Sequence, residues 1–253
     1  MSMLTGGFRK LAGLLGGKGP LFQALEVEIS SACNLRCGTC PVKHHQRPQA
    51  ELPTGVIEAM VAELASLGYA GTFSPHFYNE PLLDKRLPSI LGLVRSRLPR
   101  VTINLFTNFT LMTPELYRTL LPLVDSFIVT VDQPAIERAV ERVRRELDAG
   151  ELAKLRTRSI QGSALTNRAG AIAADPATMR KLEHCDYPQS ALVVDATGDV
   201  HLCCNDYFSQ AVYGNVKEKG LAEIWHDPAF TKDRQLGSCV RHPLCRNCLW
   251  TVS

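Results

Sequence analysis

At 253 residues the chain suits one domain of α/β-barrel size, or one such domain with a small appendage. Its net charge of +3, with no block of Lys or Arg, excludes nucleic acid as the main partner. No run approaches the roughly 18 apolar residues of a membrane span, so no membrane partner is expected.

Residues 1–21 read as a loose leader, because Leu11 to Leu15 is too short and glycine-rich for a signal peptide. Nine cysteines without an export signal point to a reducing, cytoplasmic setting where thiols serve metals or catalysis. Gln23 to Ile29 alternates as a strand and runs directly into Cys33-Asn34-Leu35-Arg36-Cys37-Gly38-Thr39-Cys40. Thr54 is expected to cap a helix carrying Ile57, Met60, Val61 and Leu64, which Gly68 stops. A strand from Gly71 leads to His76-Phe77-Tyr78-Asn79-Glu80-Pro81, and a helix with Leu87, Ile90, Leu91 and Val94 follows. Val101 to Phe106 is a third strand, ending at Thr107-Asn108, and Thr113-Pro114 opens the next helix. Ser126 to Val131 is a β-branched strand, Ala135 to Ala149 a helix, and Arg156 to Gln161 a fifth strand. Strands alternating with helices of this length imply βαβ units around a parallel sheet. Beyond Glu183, Leu192 to Asp195 and Val200 to Cys203 flank Ala196-Thr197-Gly198-Asp199 as a hairpin. A short helix with Leu221, Ile224 and Trp225 follows, then a turn at Asp227-Pro228.

Cys33, Cys37 and Cys40 can hold three irons of a 4Fe–4S cube and leave the fourth open, which a purely electron-carrying site would not do. Zinc is the competing occupant, although structural zinc asks for four ligands. Downstream, Cys185, Cys203, Cys245 and Cys248 supply four thiols, enough for a fully ligated second cube or for a zinc ribbon. Cys204 and Cys239 are left over, and His44 and His45 read as a solvated loop.

The C-x3-C-x2-C triplet resembles the signature of the radical S-adenosylmethionine (SAM) enzymes. The likeness extends through Glu26-Val27-Glu28, His76-Phe77-Tyr78, Glu80-Pro81-Leu82-Leu83, Phe127-Ile128-Val129-Thr130, Asn167-Arg168, Gly214-Asn215, Ile224-Trp225-His226 and Leu244-Cys245 to Cys248. The second thiol set resembles the twitch appendage, a shortened SPASM domain. This resemblance implies an α/β fold: a partial (β/α)6 TIM-like barrel over 22–180 and a small hairpin-and-helix iron–sulfur domain over 181–253. It implies two 4Fe–4S clusters and SAM, with SAM chelating the open iron and yielding a 5′-deoxyadenosyl radical. Glu80 would take the SAM amino group, Asn79 would stand in the SAM-binding turn, and Thr107 and Asn108 would line its ribose or methionine end. Asn79 stands where glycine is usual, and Thr39 where an aromatic residue is usual. The resemblance also implies an aminoglycoside sugar or aminocyclitol substrate and a reducing partner such as flavodoxin or ferredoxin. Arg168 would contact the reacting hydroxyl, with Tyr78 and Asn205 facing the substrate. A thiol at Cys204, on the opposite face of an extended strand from ligand Cys203, suits hydrogen return. Epimerisation of a hydroxyl-bearing carbon is therefore the expected outcome, and dehydrogenation to a ketone the alternative.

Overall fold

The computed structural model describes residues 21–160, 165–175, 177–181, 184–235 and 242–251. Residues 1–20 of the expected leader, and Cys239, lie outside the described residues. The first half alternates as expected: β1 Ala24–Val27, α1 Thr54–Ser66, β2 Thr72–Ser74, α2 Leu87–Arg97, β3 Thr102–Phe106, α3 Pro114–Leu120, β4 Ser126–Val131, α4 Pro134–Glu146 and β5 Leu155–Ser159. Then come β6 Met179–Arg180, α5 Tyr187–Ser190, β7 Ala191–Val194, β8 Asp199–His201, β9 Val212–Asn215, α6 Leu221–Trp225, α7 Pro228–Gln235, α8 Pro243–Arg246 and β10 Trp250–Thr251.

Among the described residues the main sheet has eight strands in the order β5-β4-β3-β2-β1-β7-β8-β9. Strands β1 to β5 are mutually parallel, and β7 pairs parallel with β1 on its other edge. The result is an α/β partial barrel whose sixth parallel strand comes from the C-terminal segment. Strands β8 and β9 then continue the sheet antiparallel. The helices cover the outside: Ile57, Met60, Val61 and Leu64 of α1 and Leu87, Ile90, Leu91 and Val94 of α2 are buried. Leu25 and Val27 of β1 join this outer core, which turns the alternate residues Glu26 and Glu28 to the barrel interior.

Local chemistry explains where sequence expectations shift. Pro53, not Thr54, precedes α1, and the Thr54 hydroxyl accepts from Arg86 Nη1 at 3.1 Å instead. Thr113 does cap α3, its hydroxyl accepting from Leu116 N at 3.1 Å. Asp227-Pro228 opens a helix rather than a turn: Asp227 Oδ1 accepts from Ala229 N and Phe230 N, while Pro228 has no amide hydrogen to lose. Glu63 of α1 fastens the C-terminal part to the barrel by accepting from the first amides of α6, Leu221 N at 2.8 Å and Ala222 N at 2.9 Å. The β7–β8 turn depends on Gly198, whose φ of +92° is costly for other residues. Asp195 Oδ1 closes that turn by accepting from Thr197 N and Asp199 N.

Candidate active site

The loops after the parallel strands surround a cavity of about 630 Å³. Cys33, Cys37 and Cys40, on the loop between β1 and α1, all open onto it. The loop is tied to the one after β3: Asn34 Nδ2 donates to Thr110 Oγ1 at 2.9 Å, and Asn34 Oδ1 accepts from Asn108 Nδ2 at 2.8 Å. Burial, the Asp132 carboxylate and the other two thiols push Cys37 up to about 12. Burial raises Cys33 and Cys40 as well. Three neighbouring thiols cannot ionise together in such a place unless a cation offsets them. No three His, Cys, Asp or Glu among the described residues converge tightly enough for a single ion. Three thiols on one short loop can hold three irons of a 4Fe–4S cube.

The second set, Cys185 before α5, Cys203 after β8, Cys245 on α8 and Cys248 just beyond it, lines the same cavity. Asn205 threads through this set. Its backbone N–H donates to Cys203 Sγ and its Nδ2 to Cys248 Sγ, both at 3.4 Å. Its Oδ1 accepts from Thr166 Oγ1 at 2.9 Å and Arg168 Nη1 at 3.3 Å. The Asn205 amide, expected to face a substrate, is thus committed to thiols and to Arg168. Because β8 ends at His201, Cys203 and Cys204 lie in the following loop, not on an extended strand. Strand alternation therefore does not separate their side chains, and both reach the cavity.

Glu80, 1% exposed, sits between the two loops with three donors on its carboxylate. Thr107 Oγ1 donates to Oε1 at 2.6 Å, Leu82 N to Oε1 at 3.0 Å, and Asn108 N to Oε2 at 2.6 Å. Burial raises its pKa despite these bonds, which favour the ionised form. Asn79 Oδ1 accepts from Phe77 N at 3.0 Å, and its buried Nδ2 has no hydrogen-bond partner. Asn79, Glu80, Thr107 and Asn108 all line the cavity.

Arg168 occupies a strained turn. It and Ala169 have φ of 50° and 51°, a left-handed pair without glycine, of order 1–3 kcal/mol each. Asn167 imposes this shape by donating from Nδ2 to Asn247 O at 2.9 Å and accepting at Oδ1 from Leu249 N at 2.8 Å. The Arg168 guanidinium lies 5.7 Å from the Tyr78 ring centre, and its buried Nε has no partner. Tyr78 donates its phenol to Cys204 O at 2.7 Å and presents its ring to the cavity.

Two buried charge networks hold this wall. Glu28, fully buried, accepts from Arg47 Nη2 at 2.5 Å, Arg47 Nη1 at 3.2 Å, Tyr78 N at 3.0 Å and Ala196 N at 3.2 Å. Arg47 also lies over the rings of Phe77, Tyr78 and Tyr207. His201 is held between Asp195 and Asp206 at 3.0 and 3.5 Å. Burial alone would lower its pKa, but the two carboxylates outweigh that and raise it to about 9. His45, read as a solvated loop residue, instead meets Ala171 O at 2.9 Å through Nε2 and packs against Phe208.

The sequence reading passed over several residues at this cavity. His76, Asp132, Tyr187 and Trp250 line it, and Glu26 lies beside His76 and Tyr187. Position at the end of a parallel strand was the available signal for His76 and Asp132; nothing local marks Tyr187.

A barrel with an open thiol triplet at one end of its parallel strands, and four more thiols across the same cavity, defines an iron–sulfur enzyme. The chain belongs to the radical SAM superfamily, whose model matches residues 27–156, and an iron–sulfur cluster-binding SPASM domain matches residues 185–249. Its cofactors are two iron–sulfur clusters and SAM. The chain is 31% identical over 233 residues to the S-adenosyl-L-methionine-dependent 2-deoxy-scyllo-inosamine dehydrogenase of Niallia circulans, covering 90% of this chain and 93% of that one. Among solved structures it resembles BtrN in complex with AdoMet and 2-DOIA, with a TM-score of 0.83, 31% identity and the same coverage. Against BtrN in an open conformation the TM-score is 0.69 at 28% identity, over 90% and 92% of the two chains. The AdoMet-bound anSMEcpe, at 16% identity and TM-score 0.59 over 90% and 88%, shares the fold. The relative's activity matches the dehydrogenase alternative; the expected epimerase outcome finds no support in these comparisons. No helix among the described residues is long and apolar enough to cross a membrane.

Proposed function

We propose that the chain is a radical SAM dehydrogenase that oxidises a hydroxyl-bearing carbon of an aminocyclitol or aminoglycoside intermediate to a ketone. The observation that carries this reading is the placement of Cys185, Cys203, Cys245 and Cys248 on the same cavity as the triplet. A relative named for the oxidation of 2-deoxy-scyllo-inosamine supports the substrate class. When bound, the cofactors would supply a radical that takes one hydrogen atom from carbon and a cluster that accepts one electron, while the hydroxyl proton is released to water, which completes the two-electron oxidation to the ketone.

The chain's part is binding and orientation. Cys33, Cys37 and Cys40 hold the open cluster, and the other four thiols hold the closed one. Glu80, fixed by Thr107 and Asn108, offers its carboxylate to the SAM ammonium, with Asn79 beside it. Arg168 stays charged near neutrality, so it orients the reacting hydroxyl rather than taking its proton. Tyr78 forms the wall under that hydroxyl, and Asn205 aims Arg168 while bracing Cys203 and Cys248. A cytoplasmic flavodoxin or ferredoxin is the reductant of this reading.

Cys204 favours a second reading, since its thiol opens onto the cavity and could return hydrogen to carbon. Turnover of 2-deoxy-scyllo-inosamine in deuterated water separates the two. Dehydrogenation gives a ketone that survives in a Cys204→Ala variant. Epimerisation gives an inverted alcohol with one deuterium on carbon, and a Cys204→Ala variant that no longer forms it; that result would overturn the dehydrogenase reading.

A further inference from the structure

We infer that Asn205 is a positioning residue that raises the reduction potential of the cluster held by Cys185, Cys203, Cys245 and Cys248. The inference rests on the proposed reading of those four thiols as the ligands of one cluster. It adds what sets that cluster's readiness to accept an electron. Asn205 is 6% exposed and sits in the loop after β8. Its backbone N–H donates to Cys203 Sγ and its side-chain Nδ2 to Cys248 Sγ, both at 3.4 Å. The direction of the side-chain amide is not free. Its Oδ1 meets Arg168 Nη1 at 3.3 Å, and a guanidinium only donates. Thr166 Oγ1 brings a second donor to the same oxygen at 2.9 Å. The oxygen is thereby fixed toward Arg168 and the NH2 toward sulfur.

A reduced cluster carries one more negative charge than an oxidised one, and its thiolate sulfurs share that charge. N–H groups aimed at those sulfurs therefore favour the reduced form and raise the potential. Burial strengthens each such bond, because little water competes for the sulfur. Arg168 strengthens the side-chain bond further. Its positive charge at Oδ1 polarises the amide and makes Nδ2–H a better donor. Packing alone does not ask for this arrangement, since an apolar side chain would fill the place without burying an amide. The placement also suits the proposed reaction. Arg168 orients the group that loses the electron, and Asn205 joins Arg168 to two ligands of the cluster that receives it.

The test is a redox titration of the anaerobically reconstituted holoenzyme, followed by electron paramagnetic resonance. The signal that changes on addition of SAM belongs to the triplet; the other reports the four-thiol cluster. Asn205→Leu, which removes the side-chain donor, should shift the reduction equilibrium of that second cluster about tenfold toward the oxidised form, about 59 mV for one electron. Asn205→Asp keeps the shape and the oxygen facing Arg168 but puts an acceptor at sulfur, and should shift it at least as far. The potential of the triplet and the iron content should stay as in the wild type. Thr166→Val loosens only the far end of the amide and should move the second equilibrium by less than about twofold. Wild-type potentials in both Asn205 variants overturn the inference. So does a Thr166→Val enzyme shifted as far as Asn205→Leu, because displacement of the loop would then account for both. Where Asn205→Leu loses iron, Asn205→Asp decides alone. A shifted potential, with no ketone formed from 2-deoxy-scyllo-inosamine by the wild type, would leave Asn205 standing and sink the dehydrogenase reading; ketone formation with unshifted potentials would do the reverse.

Discussion

Replacing Cys37 with serine is expected to abolish SAM cleavage and to lower the iron content from about eight to about four atoms per chain. The three thiols of the triplet line one cavity, and burial with mutual repulsion holds Cys37 protonated in the absence of a cation. Binding of iron reverses that balance, because a thiolate at the metal offsets the charge which the site otherwise penalises. A serine hydroxyl fits the space but ionises far less readily and is a harder ligand, so the cube loses one of only three protein anchors. The second thiol set is untouched and keeps its own irons. Anaerobic iron and sulfide analysis, with assay of 5′-deoxyadenosine, reads both effects. A Cys37→Ser protein that still cleaves SAM would contradict the assignment of the triplet.

The second large effect is on stability. Arg47→Leu should destabilise the folded protein by about 3–5 kcal/mol, the usual consequence of leaving one half of a buried ion pair. Glu28 has no access to solvent, and with Arg47 gone only the Tyr78 and Ala196 amides face its charge. The loss reaches far because Glu28 joins four segments: β1, the stretch after the triplet, the loop after β2 and the β7–β8 turn. A drop of this size corresponds to a fall in melting temperature of roughly 10 °C for a chain of this length. Urea unfolding of the reconstituted protein checks it; a midpoint equal to wild type would show that the pair contributes nothing.

The fold was legible because its first half repeats one signal. Apolar periodicity of helices, caps such as Thr113 and β-branched strands such as Ser126–Val131 all stand in the local sequence. The order of the sheet is not local: β7 reads as half of a hairpin, yet its four residues are completely buried because it also pairs with β1. The metal ligands were legible for a different reason. Cysteine spacing is a chemical signal that survives ignorance of the fold, whereas the partners of each thiol do not appear in it. Glu26 shows the opposite case. Alternation of Glu26 and Glu28 with Leu25 and Val27 reads as a strand but does not say which way its polar face turns; Leu25 and Val27 pack in the outer core, which leaves the carboxylates to the barrel interior. Tyr187, and the bonds Asn205 makes to Cys203 and Cys248, were beyond reach because they follow from where short C-terminal segments pack.

The central claim is that electrons leave the substrate toward the four-thiol set across a shared cavity. The most direct measurement is product analysis of a Cys245→Ala/Cys248→Ala variant turning over 2-deoxy-scyllo-inosamine with SAM and reductant. The account predicts that 5′-deoxyadenosine still forms while the ketone is lost. Ketone produced at the wild-type rate by that variant would contradict it.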